Sequence, residues 1–226
     1  MALHRKREPM MGLQPDVAVI PECASPADIR AAGLYASARA HHWVGNLSKK
    51  GLGVFTFGAY TIEPVEQTAS APEFIVPLRV RGPLEFQLLA VWAQSDNGVP
   101  GYVANVRRAI EKYDDFIREA PTVIAGDFNS SAFFDRPGRA HHAELVEKLE
   151  TDLGLFSAYH RHTGEAHGAE SSPSLFMQRN VKRPFHVDFV FLPQAWRHRL
   201  RHVEVGGAAT WLPWSDHCPI SIEIDL

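Results

Sequence analysis

The chain has 226 residues, 45% hydrophobic and 22% charged, a globular composition long enough for one large domain over residues 1–226. A formal net charge of −3 excludes a generally basic surface for gripping phosphates, so any nucleic-acid contact has to rest on a local patch. Two cysteines, Cys23 and Cys218, exclude a disulfide framework and a Cys-rich zinc site.

In chain order, the opening MALHRKREPMMGLQ is helix-like and basic but lacks the apolar core of a signal peptide. No apolar run approaches the roughly 20 residues of a membrane span. These absences predict a soluble, cytoplasmic protein. Residues 16–20, DVAVI, read as a buried strand ending at Pro21. Residues 25–40 are alanine-rich and predict a helix with Ser25 as N-cap and Pro26 in its first turn. Strands are predicted at 51–57, 74–80 and 84–92, with a polar loop or ragged edge strand between 61 and 72.

Val103, Val106, Ile110, Tyr113 and Ile117 fall near one helical face, which predicts a helix over 103–118. A strand at 122–125 then runs into Gly-Asp-Phe-Asn. A second helix is expected at 140–153, a Gly/Ser/Glu loop at 165–174, and strands at 186–192, 203–205 and 219–224. Strands outnumber helices, and helices do not follow each strand. The pattern is a mixed α/β layered domain, not an alternating Rossmann or barrel fold. There is no Gly-x-Gly-x-x-Gly and no Walker A run, so no phosphate-cradling glycine loop is expected.

Four strand-like runs end on, or carry, polar residues suited to metal or phosphate chemistry. DVAVIPE stops at Glu22. VIAGDFN offers Asp127 and Asn129, which a period-two strand would point the same way. Asp188 lies inside the apolar run HVDFVF and needs a partner there. Asp216 and His217 precede the last strand, and His217 is an attractive partner for Asp188, since a carboxylate on one imidazole nitrogen fixes the tautomer.

These residues carry a resemblance. GDFNS, HVDFVF and SDHCP, in that order after a strand ending in Pro-Glu, resemble the endonuclease/exonuclease/phosphatase superfamily from about residue 16 to the C-terminus. LGLFSAYHRHTGEAHGAESSPSLF further resembles a bacterial branch of it. The resemblance implies a four-layer α-β-β-α sandwich of two packed mixed sheets flanked by helices. It also implies Mg²⁺- or Mn²⁺-dependent hydrolysis of a phosphate ester. By the same resemblance Glu22 and Asp216 are metal-site acids, and Asp127 positions or deprotonates the attacking water. Asn129 holds phosphate or metal, Asp188 orients the histidine, and His217 acts on the scissile phosphate.

Two departures stand out. Family members begin with a strand carrying an asparagine near the metal, as in a WN-x-N run, whereas this chain leads directly into the Glu22 strand. The first strand is therefore expected to be missing, with weaker metal binding, lower stability, or rescue by another segment or subunit as the consequence. Where the family often places a His or Tyr, this chain has Trp92, with Gln94, Ser95 and Asn97 nearby; Trp cannot act as acid or base but can stack.

Each residue also has a plainer reading: a turn at Asp127–Asn129, a solvated Glu22, a purely structural Asp188–His217 pair. The 12 histidines, including His41-His42, His141-His142 and His160-x-His162, are expected to be solvated rather than a zinc site. The basic run at 197–201 reads as a solvated face, with Lys49-Lys50 and Lys182-Arg183 as candidates for a substrate-facing patch. The expected activity is a phosphodiesterase or nuclease taking an oligonucleotide or other phosphodiester, with no membrane or protein partner. The alternatives are a non-catalytic binding protein that keeps the fold, and a phosphomonoesterase of a sugar or inositol phosphate.

Overall fold

The computed structural model describes residues 7–28, 32–47, 50–67, 70–95, 101–138 and 140–226. In chain order the elements are α1 (Arg7–Met11), β1 (Val17–Cys23), α2 (Ala32–Ser37), β2 (Ala40–Leu47), β3 (Lys50–Thr56), β4 (Thr61–Pro64), β5 (Ile75–Arg81) and β6 (Phe86–Trp92). Then come α3 (Gly101–Lys112), α4 (Asp114–Glu119), β7 (Thr122–Asp127), α5 (His142–Glu147), β8 (Leu155–Ser157), α6 (Ala158–Thr163) and β9 (Leu175–Phe176). The chain closes with β10 (Pro184–Phe185), β11 (Asp188–Pro193), β12 (Leu200–Val205), α7 (Ala208–Trp211) and β13 (Ile220–Ile224). No described helix is long and apolar enough to cross a membrane.

A six-stranded mixed sheet, ordered β4-β5-β6-β7-β11-β8, forms one central layer; among the described residues only β6 and β7 pair in parallel. The facing layer consists of β1-β3-β2 and the hairpin-like pair β12-β13. Period-two alternation sorts the side chains. Leu89, Val91 and Ile124 point outward to the helices that carry Val106, Ile110 and Leu145. Leu88, Ala90, Trp92, Val123 and Ala125 point inward against Leu52, Val54, Val17 and Val19. On the other side Ala18, Ile20 and Phe55 are covered by Met10, Met11, Leu34 and Tyr35 of α1 and α2. The layers therefore run α-β-β-α, as the resemblance implies.

Several local expectations are corrected. The first strand does not stop at Pro21: it continues to Cys23 through a bulge and is mostly half-buried. The helix expected over 25–40 is only Ala32–Ser37, and Ala40 already opens β2, a strand that the alanine-rich composition hides; residues 29–31 lie outside the described ones. The helix expected over 103–118 is two, broken at Tyr113. Among the described residues β1 pairs only with β3, and β13 only with β12. Val17, Val19, Ile220 and Ile222 stay half-buried along these strands although they pack on the inner core.

Candidate active site

The site forms where β7 ends and β11 begins. Asp127 and Asp188 are direct Cα partners across this antiparallel pair, and Trp92 is the partner of Asp127 on the parallel side. Inward alternation from Val123 and Ala125 carries the Asp127 side chain to the inner face, where it is buried. Gly126 makes this possible. Its φ is 140°, and a Cβ there would lie 1.9 Å from the Val91 carbonyl oxygen, so only glycine lets β7 approach β6 this closely.

Asn129 reaches Asp127 by a route that strand alternation does not predict. The strand ends at Asp127, and Asn129 turns back in the left-handed region at φ 49°. Its backbone N–H donates to Asp127 Oδ1 at 2.8 Å, and its Nδ2 donates to Asp127 Oδ2 and to the Ala93 carbonyl, each at 3.0 Å. Both Nδ2 partners are acceptors, so the amide orientation is fixed and Oδ1 is the atom left for the cleft.

Glu22 is aimed by the β1 bulge. Between the pairs Ile20↔Gly53 and Cys23↔Gly51, β1 advances three residues against two on β3. Ala18 and Ile20 face outward, and uninterrupted alternation would send Glu22 the same way. The extra residue reverses the phase: Cys23 takes the outward place in the core, and Glu22 lines the cleft. The cost is visible in its φ of 54°.

The fourth component comes from residues 174–176 and 216–218. Leu175 and His217 form a bridge, Phe176 N–H donates to the Asp216 carbonyl, and Cys218 N–H donates to the Ser174 carbonyl. Ser174 Oγ also accepts from the N–H groups of Val187 and Asp188 at 3.0 and 3.1 Å. One serine thus joins the strand of Asp188 to the segment of His217. Sequence reasoning missed it, since nothing distinguishes one serine in SSPSLF from the next. The result is the predicted pair, His217 Nδ1 to Asp188 Oδ2 at 2.9 Å.

Electrostatics follow from this crowding. Burial, then the facing Asp188 carboxylate, pushes Asp127 above the ordinary carboxylate range; the charge of His217 and the Asn129 N–H oppose the shift. At His217 burial works against the proton, but Asp188, Asp127 and Asp216 outweigh it and push the group up to about 10. Burial also works to raise Glu22, yet Lys50, whose Nζ lies 2.9 Å from Oε1, holds it below its usual range.

The structure thus gathers Asp127, Asn129, Asp188 and His217 directly, with Asp216 adjoining and Glu22 on the facing strand. One ligand atom each from Asp127, Asp188 and His217 lies within 4.8 Å of the others. Asp216 Oδ1 is buried without a hydrogen-bond partner. A mainly oxygen donor set with an orphaned carboxylate oxygen fits a hard cation such as Mg²⁺ or Mn²⁺. Beside these groups opens a cavity of about 380 Å³ lined by Glu22, Asn46, Lys50, Phe74, Trp92 and Asn129, among others. Phe74 and Trp92 lie 4.9 Å apart in a tilted pair on its wall. Of the basic residues expected in a substrate-facing patch, Lys50 lines this cavity, Lys182 and Arg183 are exposed just before β10, and Lys49 lies outside the described residues, as does the polar Asn97. At the far end, Arg201 is paired with Asp225 and exposed, as a solvated face requires.

No family model and no curated protein matches the chain. Solved structures do. The 3′ phosphatase NExo from Neisseria, bound to a product DNA hairpin, superposes with a TM-score of 0.72 at 17% identity, covering 100% of this chain and 96% of that one. The endonuclease domain of TRAS1, a telomere-specific non-LTR retrotransposon, gives 0.65 at 14% identity, with 100% and 92% covered. An endonuclease/exonuclease/phosphatase from Beutenbergia cavernae gives 0.61 at 16%, with 99% and 66% covered. Layer order, strand pairing and these superpositions agree: the chain has the fold of the endonuclease/exonuclease/phosphatase superfamily.

Proposed function

We propose that this protein is a Mg²⁺- or Mn²⁺-dependent hydrolase of phosphate esters, acting on a phosphodiester of the nucleic-acid or oligonucleotide class. The observation that carries the reading is the hydrogen-bonded Asp188–His217 pair set directly beside the buried Asp127. Glu22 and Asp216 would hold the cation, with Asn129 Oδ1 facing the same cleft. A bound cation would neutralise charge on the phosphoryl oxygens.

The protein's own groups then have separable tasks. Asp127, held on both oxygens by Asn129, is the acceptor for a proton of the attacking water. Asp188 occupies His217 Nδ1, so Nε2 is the nitrogen available to substrate, and as imidazolium it donates to a phosphoryl oxygen where negative charge builds. Lys50 and the half-buried ring of Phe74 suit the backbone and bases of a short single strand better than a long duplex, given the net negative chain. The similar Neisseria protein was seen with a DNA hairpin, which supports the same substrate class.

The test is hydrolysis of bis-p-nitrophenyl phosphate with Mg²⁺ or Mn²⁺, against EDTA and His217→Ala. Turnover lost in both controls is expected. End-labelled oligonucleotides then separate internal cleavage, stepwise removal and release of a terminal 3′ phosphate. No turnover in a folded, metal-saturated sample would overturn the reading in favour of a binding protein.

A further inference from the structure

On the opposite face of β11 from Asp188, four histidines gather around one phenyl ring. Phe189 lies 4.8 Å from the ring of His142, 5.1 Å from His186, 6.1 Å from His167 and 6.2 Å from His160, centroid to centroid. They come from four places in the chain: the start of α5, α6, the loop after α6, and the approach to β11. The sequence predicts solvated histidines. The structure instead buries His142 at 0% exposure and His186 at 4%.

Their polar atoms are largely unmatched. His142 Nε2, His186 Nε2 and both ring nitrogens of His167 are buried without a hydrogen-bond partner. Buried nitrogens left this way are costly, so four in one cluster call for an occupant. The remaining nitrogens are held from outside. His186 Nδ1 donates to the Ser172 carbonyl at 2.7 Å, which leaves Nε2 as a bare lone pair. His142 Nδ1 meets Ser130 Oγ at 2.9 Å, and His160 Nδ1 meets Ser157 Oγ at 2.7 Å. Anchoring of one nitrogen while the other turns inward is how proteins orient imidazole ligands.

Glu170 supplies the charge. Its Oε1 lies 3.1 Å from His160 Nε2 and accepts from Gly168 N–H at 2.9 Å, with both side chains over nine-tenths buried. The rings of His160 and His167 stack at 3.4 Å, and ligand atoms of His160, His167 and Glu170 all fall within 4.8 Å of one another.

We propose that His160, His167 and Glu170 form a second metal site, separate from the catalytic one, that takes a zinc-type divalent cation with a buried Nε2 of His142 or His186 as the completing ligand. Three imidazoles and one carboxylate suit Zn²⁺, whereas Mg²⁺ prefers oxygen. The supporting loop is built in advance: Glu165 accepts from Tyr159 OH and from Ser171, fixing the turn that presents His167 and Glu170. The site has a structural task. The same loop runs on to Ser174, which joins Asp188 to the His217 segment, so a cation here would clamp the second half of the catalytic pair.

The test is titration of the metal-stripped full-length chain with Co²⁺, followed by its optical spectrum. One equivalent is expected to give the intense visible bands of four-coordinate cobalt, displaced by Zn²⁺ and untouched by excess Mg²⁺. Asp216→Asn should keep the bands, and His167→Gln or Glu170→Gln should weaken cobalt binding by about 100-fold or more. Histidine ¹H–¹⁵N correlation spectra of the unmutated protein read the ligands even if a variant fails to fold: ring-nitrogen resonances of His160 and His167 should shift on adding Zn²⁺. A weak six-coordinate spectrum that Mg²⁺ erases, or bands that survive His167→Gln, or unshifted His160 and His167 resonances, would overturn the proposal. None of these readings depends on turnover, so they stand apart from the proposed hydrolysis.

Discussion

Asp127 and Asp188 face each other as Cα partners on adjacent antiparallel strands. Like charges placed directly opposite destabilise a sheet. Here the conflict is met by His217, which takes Asp188 Oδ2 at 2.9 Å, and by two hydrogen bonds from Asn129 to Asp127. The pair stores repulsion at the point where a cation and a phosphate would bind.

Replacing Asp188 with Asn removes the main charge that keeps His217 protonated. His217 holds its proton to about 10, against 6.5 for the ordinary group. Its folded value is raised, so the stability from the pair is complete below about pH 6.5 and lost as pH rises through about 10. Asp188→Asn should cost roughly 1–3 kcal/mol near neutral pH, a difference from the parent that closes as pH rises toward 10. The alkaline limb of kcat/KM should fall from near 10 toward the ordinary histidine range, with activity near neutrality down roughly 100-fold. Denaturant melts and a pH–rate profile check both.

Asp127→Asn should abolish turnover yet stabilise the metal-free protein in alkali. Asp127 is a carboxylate raised by burial and by Asp188, so its favourable contribution is present below its unfolded value of 3.8 and lost as pH rises through the folded one. At about pH 9 the variant should exceed the parent by at least about 1.4 kcal/mol, roughly tenfold in the folding equilibrium, and match it near pH 4. Saturating Mg²⁺ should raise the Tm of the parent more than that of the variant.

Gly126→Ala tests the close approach of β6 and β7. The added Cβ would meet the Val91 carbonyl at 1.9 Å, backbone against backbone, at a φ that L-residues avoid. A loss of about 2 kcal/mol or more is expected, together with loss of activity, since the strand end that carries Asp127 has to move. Urea unfolding at constant m-value would read it.

Glu22 and Lys50 should behave oppositely to a structural ion pair. The bridge is 35% exposed at Glu22 and 49% at Lys50, so Lys50→Ala should change stability by less than about 1 kcal/mol. Glu22→Gln should leave folding equally intact but raise the Mg²⁺ concentration for half-maximal activity by about 10-fold or more. Metal-dependence curves against unfolding curves separate the two effects.

The sequence by itself determined the layered α/β class, because alternation along residues 74–92 and the face of Val103, Val106 and Ile110 are local patterns that backbone geometry imposes. It also singled out Glu22, Asp127, Asn129, Asp188, Asp216 and His217 as candidates, with Asp188, inside an apolar run, needing a partner. The tertiary structure decided how they meet. A bulge, set by pairing of β1 with β3, turns Glu22 from the outer face to the cleft. A left-handed turn, not strand alternation, folds Asn129 back onto Asp127. The burial of His142, His160 and His186 depends on segments far apart in the chain closing over Phe189, and no local pattern shows whether a histidine in a polar stretch will meet water or three other imidazoles.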